Sequence, residues 1–280
     1  MLRSALLRVS LLLALLLLAG ESRGQEALRP VWEVGAGGYL MSLPDYRGSA
    51  GQNFYFFPIP YLVYRGEVFK VDREGLSGLL FETQHLDLDM SLSASPPVKS
   101  SNIVARAGME DLAPTVELGP QITVTFSETA RHRFTLHIPW RAVVAVDHSG
   151  FEKVGWLTNP ILNYDLRDLG PSGGWNLGIS GGPIWANRSF HHYYYGVEPA
   201  YATATRPAYE APGGYSGSQL TLALSKRYPK TWFGAFVRLN DMHGTVIDDS
   251  PLLENRTTYL VGIGMSWILA ESEERVWSEE

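Results

Sequence analysis

The sequence predicts an all-β chain closed into a transmembrane, antiparallel, up-and-down β-barrel of about twelve strands. Three observations predict it. Beyond residue 24, apolar residues recur at every second position in segment after segment, with almost no sustained 3.6-residue period. No apolar stretch in that region approaches the length of a membrane-spanning helix, so a membrane protein made from this chain has to cross with strands. The aromatic residues, Trp32, Tyr39, Phe54, Tyr64, Trp140, Trp185, Trp232, Tyr259 and Trp267 among them, gather at segment ends around Leu, Val and Ile as two interfacial girdles, which favours a membrane barrel over a soluble periplasmic fold with the same period.

The first element is an address. Arg3 and Arg8 form a positive n-region, Val9 to Ala19 is apolar except for Ser10, and Ser22-Arg23-Gly24 places small residues at the cleavage positions. Residues 1–24 therefore read as a secretory signal peptide cut after Gly24, leaving 25–280 as a single domain. The removed segment carries three Arg and one Glu, so the formal charge moves from -6 to -8. No Cys follows the signal, so lipoprotein anchoring is excluded.

Alternating segments then follow at 31–41, 53–65, 67–73, 76–93, 114–127, 131–147, 153–166, 173–186, 197–206, 217–227, 231–240 and 258–269. The clearest is Phe134, Leu136, Ile138, Trp140, Ala142, Val144 and Val146, interleaved with Arg133, Thr135, His137 and Arg141. Leu86, Leu88, Met90 and Leu92 alternate with Asp87, Asp89, Ser91 and Ser93. Tyr259, Val261, Ile263, Met265 and Trp267 face away from Gly262, Gly264 and Ser266, with bulk on one wall and small residues on the other. Gly- and Pro-rich breakers separate the segments, as at Gly170 to Gly174, Pro212-Gly213-Gly214 and Tyr228-Pro229-Lys230. An even strand number puts both termini on the periplasmic side. Loops 42–52, 207–216 and 241–257 then face outside, and the turns near 65–67 and 228–230 face the periplasm. Segment 94–113 is long for a periplasmic turn, and reads as a short plug or as the place where the periplasmic rim meets another protein. Residues 270–280 read as an acidic tail.

Composition narrows the rest. With 45% hydrophobic residues the chain is too apolar to be disordered. The absence of Cys removes disulfide scaffolds, thiolate metal sites and Cys nucleophiles, and the acidic balance argues against nucleic acid as a partner. Glycine, 28 of 280 residues, is richer than the roughly 7% average and suits a β-protein with many turns.

Short blocks carry a resemblance. Tyr46-Arg47-Gly48 is followed by Pro58-Ile59-Pro60-Tyr61, then Tyr64-Arg65-Gly66, then Gly108-Met109-Glu110-Asp111-Leu112. Tyr193 to Tyr195 with Gly196-Val197, Tyr209 with Gly213-Gly214, and Asp249-Ser250-Pro251-Leu252 come later in the chain. In this order the blocks resemble the MipA/OmpV family, the MltA-interacting outer-membrane proteins of Gram-negative bacteria. The family-motif positions are Tyr46, Gly48, Pro58, Pro60, Tyr64, Gly66, Gly108, Met109, Asp111, Gly196, Val197, Gly214, Asp249, Ser250 and Pro251. The resemblance implies a barrel in the outer membrane, in contact with lipid and lipopolysaccharide. It also implies a scaffold that brings a membrane-bound lytic transglycosylase together with a murein synthase. It brings no catalytic, metal or cofactor-binding residues. One departure is that such barrels end on a strand with a terminal aromatic residue, whereas here an acidic tail follows Trp267, leaving Trp267 or Trp277 for that role.

Three constellations bear chemistry. Gly178-Ile179-Ser180-Gly181-Gly182 fits a Gly-x-Ser-x-Gly nucleophile pattern, but Pro183-Ile184-Trp185 continues a strand where the motif needs a turn into a helix. His85, Asp87 and Asp89 share one strand face and could hold a cation, or form a polar lumen wall paired with Arg133 or Arg141. His191-His192 with Tyr193 to Tyr195 is a patch suited to a partner or to the girdle. The expectation is a non-enzymatic scaffold approached by soluble partners through 94–113, the 187–196 turn and the tail. A small channel or adhesin is the alternative, and a lipid acyl hydrolase using Ser180 the weakest reading.

Overall fold

Alternation of apolar and polar side chains leaves a strand with one greasy and one wet face, and rolling such strands into a ring satisfies every backbone group without a free edge. The computed structural model describes residues 27–65, 69–72, 75–78, 81–83, 86–147, 150–171 and 173–278. The export signal expected at 1–24, with its expected cleavage site, lies outside the described residues. The strands are β1 (Ala27–Pro30), β2 (Trp32–Pro44), β3 (Gln52–Arg65), β4 (Phe69–Asp72), β5 (Gly75–Gly78), β6 (Phe81–Glu82), β7 (Leu86–Ser95) and β8 (Thr115–Glu128). They continue as β9 (His132–Asp147), β10 (Gly150–Thr158), β11 (Ile161–Leu169), β12 (Trp175–Ala186), β13 (Gly214–Arg227), β14 (Thr231–Asp241), β15 (Thr257–Glu271) and β16 (Arg275–Ser278). One α-helix, α1 (Arg188–Tyr195), lies between β12 and β13.

Every pairing is antiparallel, and each barrel strand pairs with its neighbours in sequence. β10 and β11 both lie along β9, broken at Asn159 and Pro160, and act as one strand. β5 and β6 likewise lead from β4 to β7. The pairing of β15 with β2 closes the ring. Twelve strand positions result, in a transmembrane up-and-down barrel.

The ring has two unlike ends. One holds the β3–β4, β6–β7, β8–β9, β11–β12 and β13–β14 connections, together with β1 and β16. The other holds loops 45–51, 96–114, 187–213 and 242–256. This corrects two expectations. Segment 76–93 is not one strand but a hairpin, β5–β6 then β7, while 197–206 is not a barrel strand but part of the long β12–β13 loop. The two errors cancel in the strand count and reverse the side of everything between them. Segments 94–113 and 187–196 therefore lie with the long loops, at the end opposite the termini. Of the expected acidic tail 270–280, residues 270–278 are built into the fold: β15 runs to Glu271, and β16 pairs with β1 in a two-stranded ribbon at the terminal end.

The outer wall is the apolar face. Leu40, Leu62, Leu118, Ile122, Leu162, Leu220, Leu222, Val261, Ile263 and Met265 are exposed along it. Phe54, Trp140, Trp185 and Tyr259 ring the loop end, and Trp32, Tyr64, Tyr228 and Trp267 ring the terminal end. Tyr39 and Trp232, assigned by sequence to the girdles, instead turn inward. Their rings stand 5.9 Å apart, and Trp232 is buried with Tyr61, Val63 and Ile268. Gly262, Gly264 and Ser266 do form an inner wall of small residues, and the space has a purpose. A Cβ at Gly264 would stand 2.5 Å from the Tyr39 ring, and one at Gly262 would stand 2.4 Å from Phe236. Beside this cluster Glu33, fully buried, accepts from Arg227 Nη1 (2.5 Å) and Tyr61 Oη (3.1 Å).

Candidate functional site

The four long loops do not wave free; they fold onto one another as a cap over the mouth of the barrel. Tyr46 from the β2–β3 loop meets Val98, Ile103 and Leu112 of 96–114, Tyr195 and Ala211 of 187–213, and Met242 and Ile247 of 242–256 in one buried cluster. Tyr195, Met242, Ile247 and Leu252 are essentially inaccessible to solvent. Burying such a side chain contributes about 1.5–3 kcal/mol each, which holds the cap shut.

Hydrogen bonds stitch the loops in pairs. Tyr46 Oη donates to Leu252 O (2.8 Å), Tyr195 Oη to Arg47 O (2.7 Å) and Ser250 Oγ to Tyr195 O (2.7 Å). Leu112 and Val98 form an isolated bridge, as do Val197 and Tyr209. Arg106, buried, donates to Ser100 Oγ (3.0 Å), Tyr194 O (3.2 Å) and Glu110 O (3.2 Å). Arg206 folds 187–213 onto 96–114 by donating to Ala105 O (2.9 Å) and Ala107 O (3.0 Å). Ser100 N donates to Asp111 Oδ1 at 2.8 Å, closing the 96–114 loop on itself.

Helix α1 seats the His-Tyr cluster. Asn187 caps it, its Oδ1 accepting from Phe190 N (3.1 Å) and also from Trp156 N of β10 (3.1 Å). Gly155, at φ 154° beside a bulge in β10, makes this approach possible, since a Cβ there would stand 2.3 Å from Asn187 Oδ1. His191, fully buried, donates from Nδ1 to Pro212 O (2.6 Å), and burial pulls its pKa below the ordinary 6.5. Burial likewise pushes the phenols of Tyr46, Tyr194 and Tyr195 well up. The cluster is therefore interior packing of the cap, not part of a lipid girdle.

Most of the positions that carry the sequence resemblance meet here. Tyr46 and Gly48 turn the first loop, Gly48 at φ 89° and so close to Leu253 that a Cβ would stand 2.3 Å from its Cδ1. Gly108, Met109 and Asp111 shape 96–114, Gly196 ends α1, and Val197 bridges to Tyr209. Gly214 opens β13 against Val246, and Asp249, Ser250 and Pro251 form the turn that receives Tyr195. Pro58, Pro60 and Tyr64 stand apart, exposed on the outer wall of β3, and Gly66 lies outside the described residues. What the sequence reading missed are the tethers Arg106 and Arg206 and the buried Met242 and Ile247. Lone Arg or Met residues in loops carry no periodic signal.

Ser180 sits in the middle of β12, in register with Thr221 and Asn163 and facing the lumen; no turn into a helix follows it. The geometry of a nucleophile elbow is missing, and so is a lipid-facing position. Asp87 and Asp89 share the inner face of β7, with Thr123 Oγ1 donating to Asp89 (3.3 Å), whereas His85 lies outside the described residues. Arg141 pairs with Glu117 at 2.9 Å and Arg133 with Glu128 at 3.5 Å.

Beneath the cap the lumen holds a cavity of about 420 Å³, walled by Arg47, Glu117, Arg141, Gln219, Arg238 and Asn240 among others. A second cavity, of about 510 Å³, is walled by residues that include Arg133, Asp165, Arg167, Trp232 and again Arg238.

The family model described as MltA-interacting protein MipA matches residues 34–269. The outer membrane protein OmpV of Vibrio cholerae serotype O1 is 28% identical over 243 residues, 84% of each chain. Outer membrane protein Omp26La of Vibrio anguillarum is 25% identical over 163 residues, 57% of this chain and 56% of that protein, so the match spans about half of each. A NanC porin structure overlaps 87% of this chain and 100% of its own at 8% identity, with a TM-score of 0.38, too loosely to add to the strand pairing above.

Proposed function

We propose, from the fact that the chain belongs to the MltA-interacting protein MipA family, that it is a non-enzymatic outer-membrane docking barrel for a peptidoglycan lytic transglycosylase and a murein synthase. The observation that carries this reading is the cap. A diffusion pore needs an open mouth, and here four loops fill it with fully buried side chains. Twelve strands are also fewer than the 16–18 of porins that leave an aqueous channel. With the termini in the periplasm, the cap faces outside, and what faces the murein is the β1–β16 ribbon with the short turns. On that ribbon Leu28 and Trp277 are directly opposed and both exposed, an apolar pair flanked by Glu271, Glu273 and Glu274. Aromatic anchors with a charged rim suit a protein interface. Docking is therefore assigned to the ribbon rather than to 94–113.

The test is a pull-down of the tagged barrel from mildly solubilised, briefly cross-linked envelopes. Recovery of a lytic transglycosylase or murein synthase, lost in Leu28→Ser/Trp277→Ala and kept when 94–113 is replaced by a short turn, supports the reading. Recovery of assembly factors and lipopolysaccharide alone overturns it and brings a channel or adhesin forward.

A further inference from the structure

A charged side chain inside a barrel costs free energy unless something pairs with it, so the cations of the lumen are best read by asking what each one holds. Arg141 holds Glu117 (2.9 Å), and Arg47 holds the backbone carbonyl and hydroxyl of Ser216 (3.2 and 2.8 Å). At the terminal end Arg167 and Arg133 share Glu128. The carboxylates near them are also engaged, Asp45 with Ser49 and Asn53, and Asp165 with Asn163. Arg238 differs. It projects from β14 into the lumen in register with Thr221, and its Nε donates to Thr221 Oγ1 (3.0 Å). Among the described residues it makes no ion pair, and neither Nη1 nor Nη2 has a hydrogen-bond partner.

The position of that free fork is as telling as its chemistry. Arg238 is the residue common to both lumen cavities, the one beneath the cap and the one below it, so its guanidinium stands between the two chambers. Arg141 and Arg47, and on the opposite sign Glu117, are close enough to act on it electrostatically, although Glu117 is itself paired with Arg141. Of the charged residues walling the upper chamber, Arg47, Arg141 and Arg238 outnumber Asp45 and Glu117, and in the lower chamber Arg133, Arg167 and Arg238 outnumber Asp165. Both chambers therefore carry excess positive charge inside a chain whose net charge is negative. A cavity of about 420 Å³ lies within the range of small-molecule sites, roughly 300–1,000 Å³.

We infer that the lumen is a binding site for a small hydroxylated carboxylate, whose carboxylate is gripped bidentately by the free fork of Arg238. A planar guanidinium with two parallel donors matches a carboxylate in geometry as well as charge. Gln219 and Asn240, which wall the same chamber, offer amide groups to the hydroxyls of such a ligand. The cap also contributes Tyr46, Tyr194 and Tyr195 to the wall of this chamber at its loop end.

The test uses gluconate as the probe and glucose, of nearly the same size without the carboxylate, as its control. Both are titrated by calorimetry into the purified full-length barrel in detergent. Gluconate binds at millimolar or lower concentration and glucose does not. Arg238→Gln weakens gluconate binding about tenfold or more, and Arg238→Lys, which keeps the charge but loses the fork, falls between. Folding of each variant is checked by heat-modifiable gel mobility, and removal of an unpaired inner charge leaves it intact. Wild-type barrel that binds gluconate no better than glucose, or a folded Arg238→Gln that binds it as well as wild type, overturns the inference. No partner protein enters this measurement, so it stands or falls apart from the docking reading.

Discussion

Replacing Arg106 by Met loosens the cap without unfolding the barrel. The side chain is buried, sits in 96–114, and donates three hydrogen bonds at 3.0 to 3.2 Å, one of them to Tyr194 O across the cap. Each bond from a charged donor contributes about 1.5–3 kcal/mol, and desolvation of the guanidinium offsets part of the sum. Burial also pulls the pKa of Arg106 down, which shows that this desolvation is felt. A net loss of about 3 kcal/mol of local stability follows, because Met fills similar volume but leaves Tyr194 O short of a donor, while Glu110 O keeps only Ser100 Oγ (2.6 Å). Every 1.4 kcal/mol is a factor of ten, so amide exchange at Val98, Ile103 and Leu112 speeds up about a hundredfold. Exchange in β9 and β15 stays as in wild type, because those strands owe their protection to the ring. Hydrogen exchange read by mass spectrometry on the folded barrel resolves the two. A change in the 96–114 peptides below about threefold, or equal acceleration in the strands, would refute the account of the cap as a separately tethered layer.

Two further predictions follow from buried groups. Arg227→Met removes the 2.5 Å partner of the inaccessible Glu33 carboxylate, which keeps Tyr61 Oη (3.1 Å), and costs about 3 kcal/mol, lowering the urea midpoint of the barrel in lipid vesicles; an unchanged midpoint would show that the pair is dispensable. The cap is weakened by acid. His191 has a folded pKa below 6.5, so above that pH neither state is protonated and the group is silent. As pH falls from 6.5 towards the folded pKa, the open cap takes up a proton that the closed cap refuses, and closure loses stability. Proteolysis of the loops is therefore faster at pH 5 than at pH 7.5, and His191→Gln removes much of that difference; equal acid sensitivity in the variant would sink the assignment.

The barrel was legible in the sequence because its defining feature is a period of two, and period two survives in plain text from Phe134 to Val146 and from Tyr259 to Trp267. What was not legible was parity. The turn at 83–85 contains no Gly or Pro and is closed by Thr83, whose hydroxyl both donates to Leu86 O and accepts from Leu86 N (2.9 Å each). The segment 197–206 has strand-like residues, but Pro199 starts a short 3₁₀ turn and Arg206 folds back onto Tyr201 O. Missing one turn and adding one strand left the number right and the sidedness wrong. The motif blocks were visible singly, but their convergence was not. It depends on Arg106 and Arg206 reaching carbonyls about a hundred residues away or across neighbouring loops, contacts that leave no local pattern. Inward-facing Trp232 was misread for a similar reason, since its place at a strand end says nothing of which wall it occupies.

The two ends of the barrel are unlike, and docking at the ribbon requires the cap outside the cell and the ribbon end within. Because the chain has no Cys, one introduced Cys at a time reports cleanly. Val104→Cys, at a cap position 90% exposed, and Lys230→Cys, in the β13–β14 turn, are each treated on intact cells with a membrane-impermeant maleimide. Labelling of the Cys at 104 on intact cells, with the Cys at 230 labelled only after the outer membrane is opened, is the predicted result. Labelling of the Cys at 230 on intact cells, with protection at 104, would contradict it and turn the barrel over.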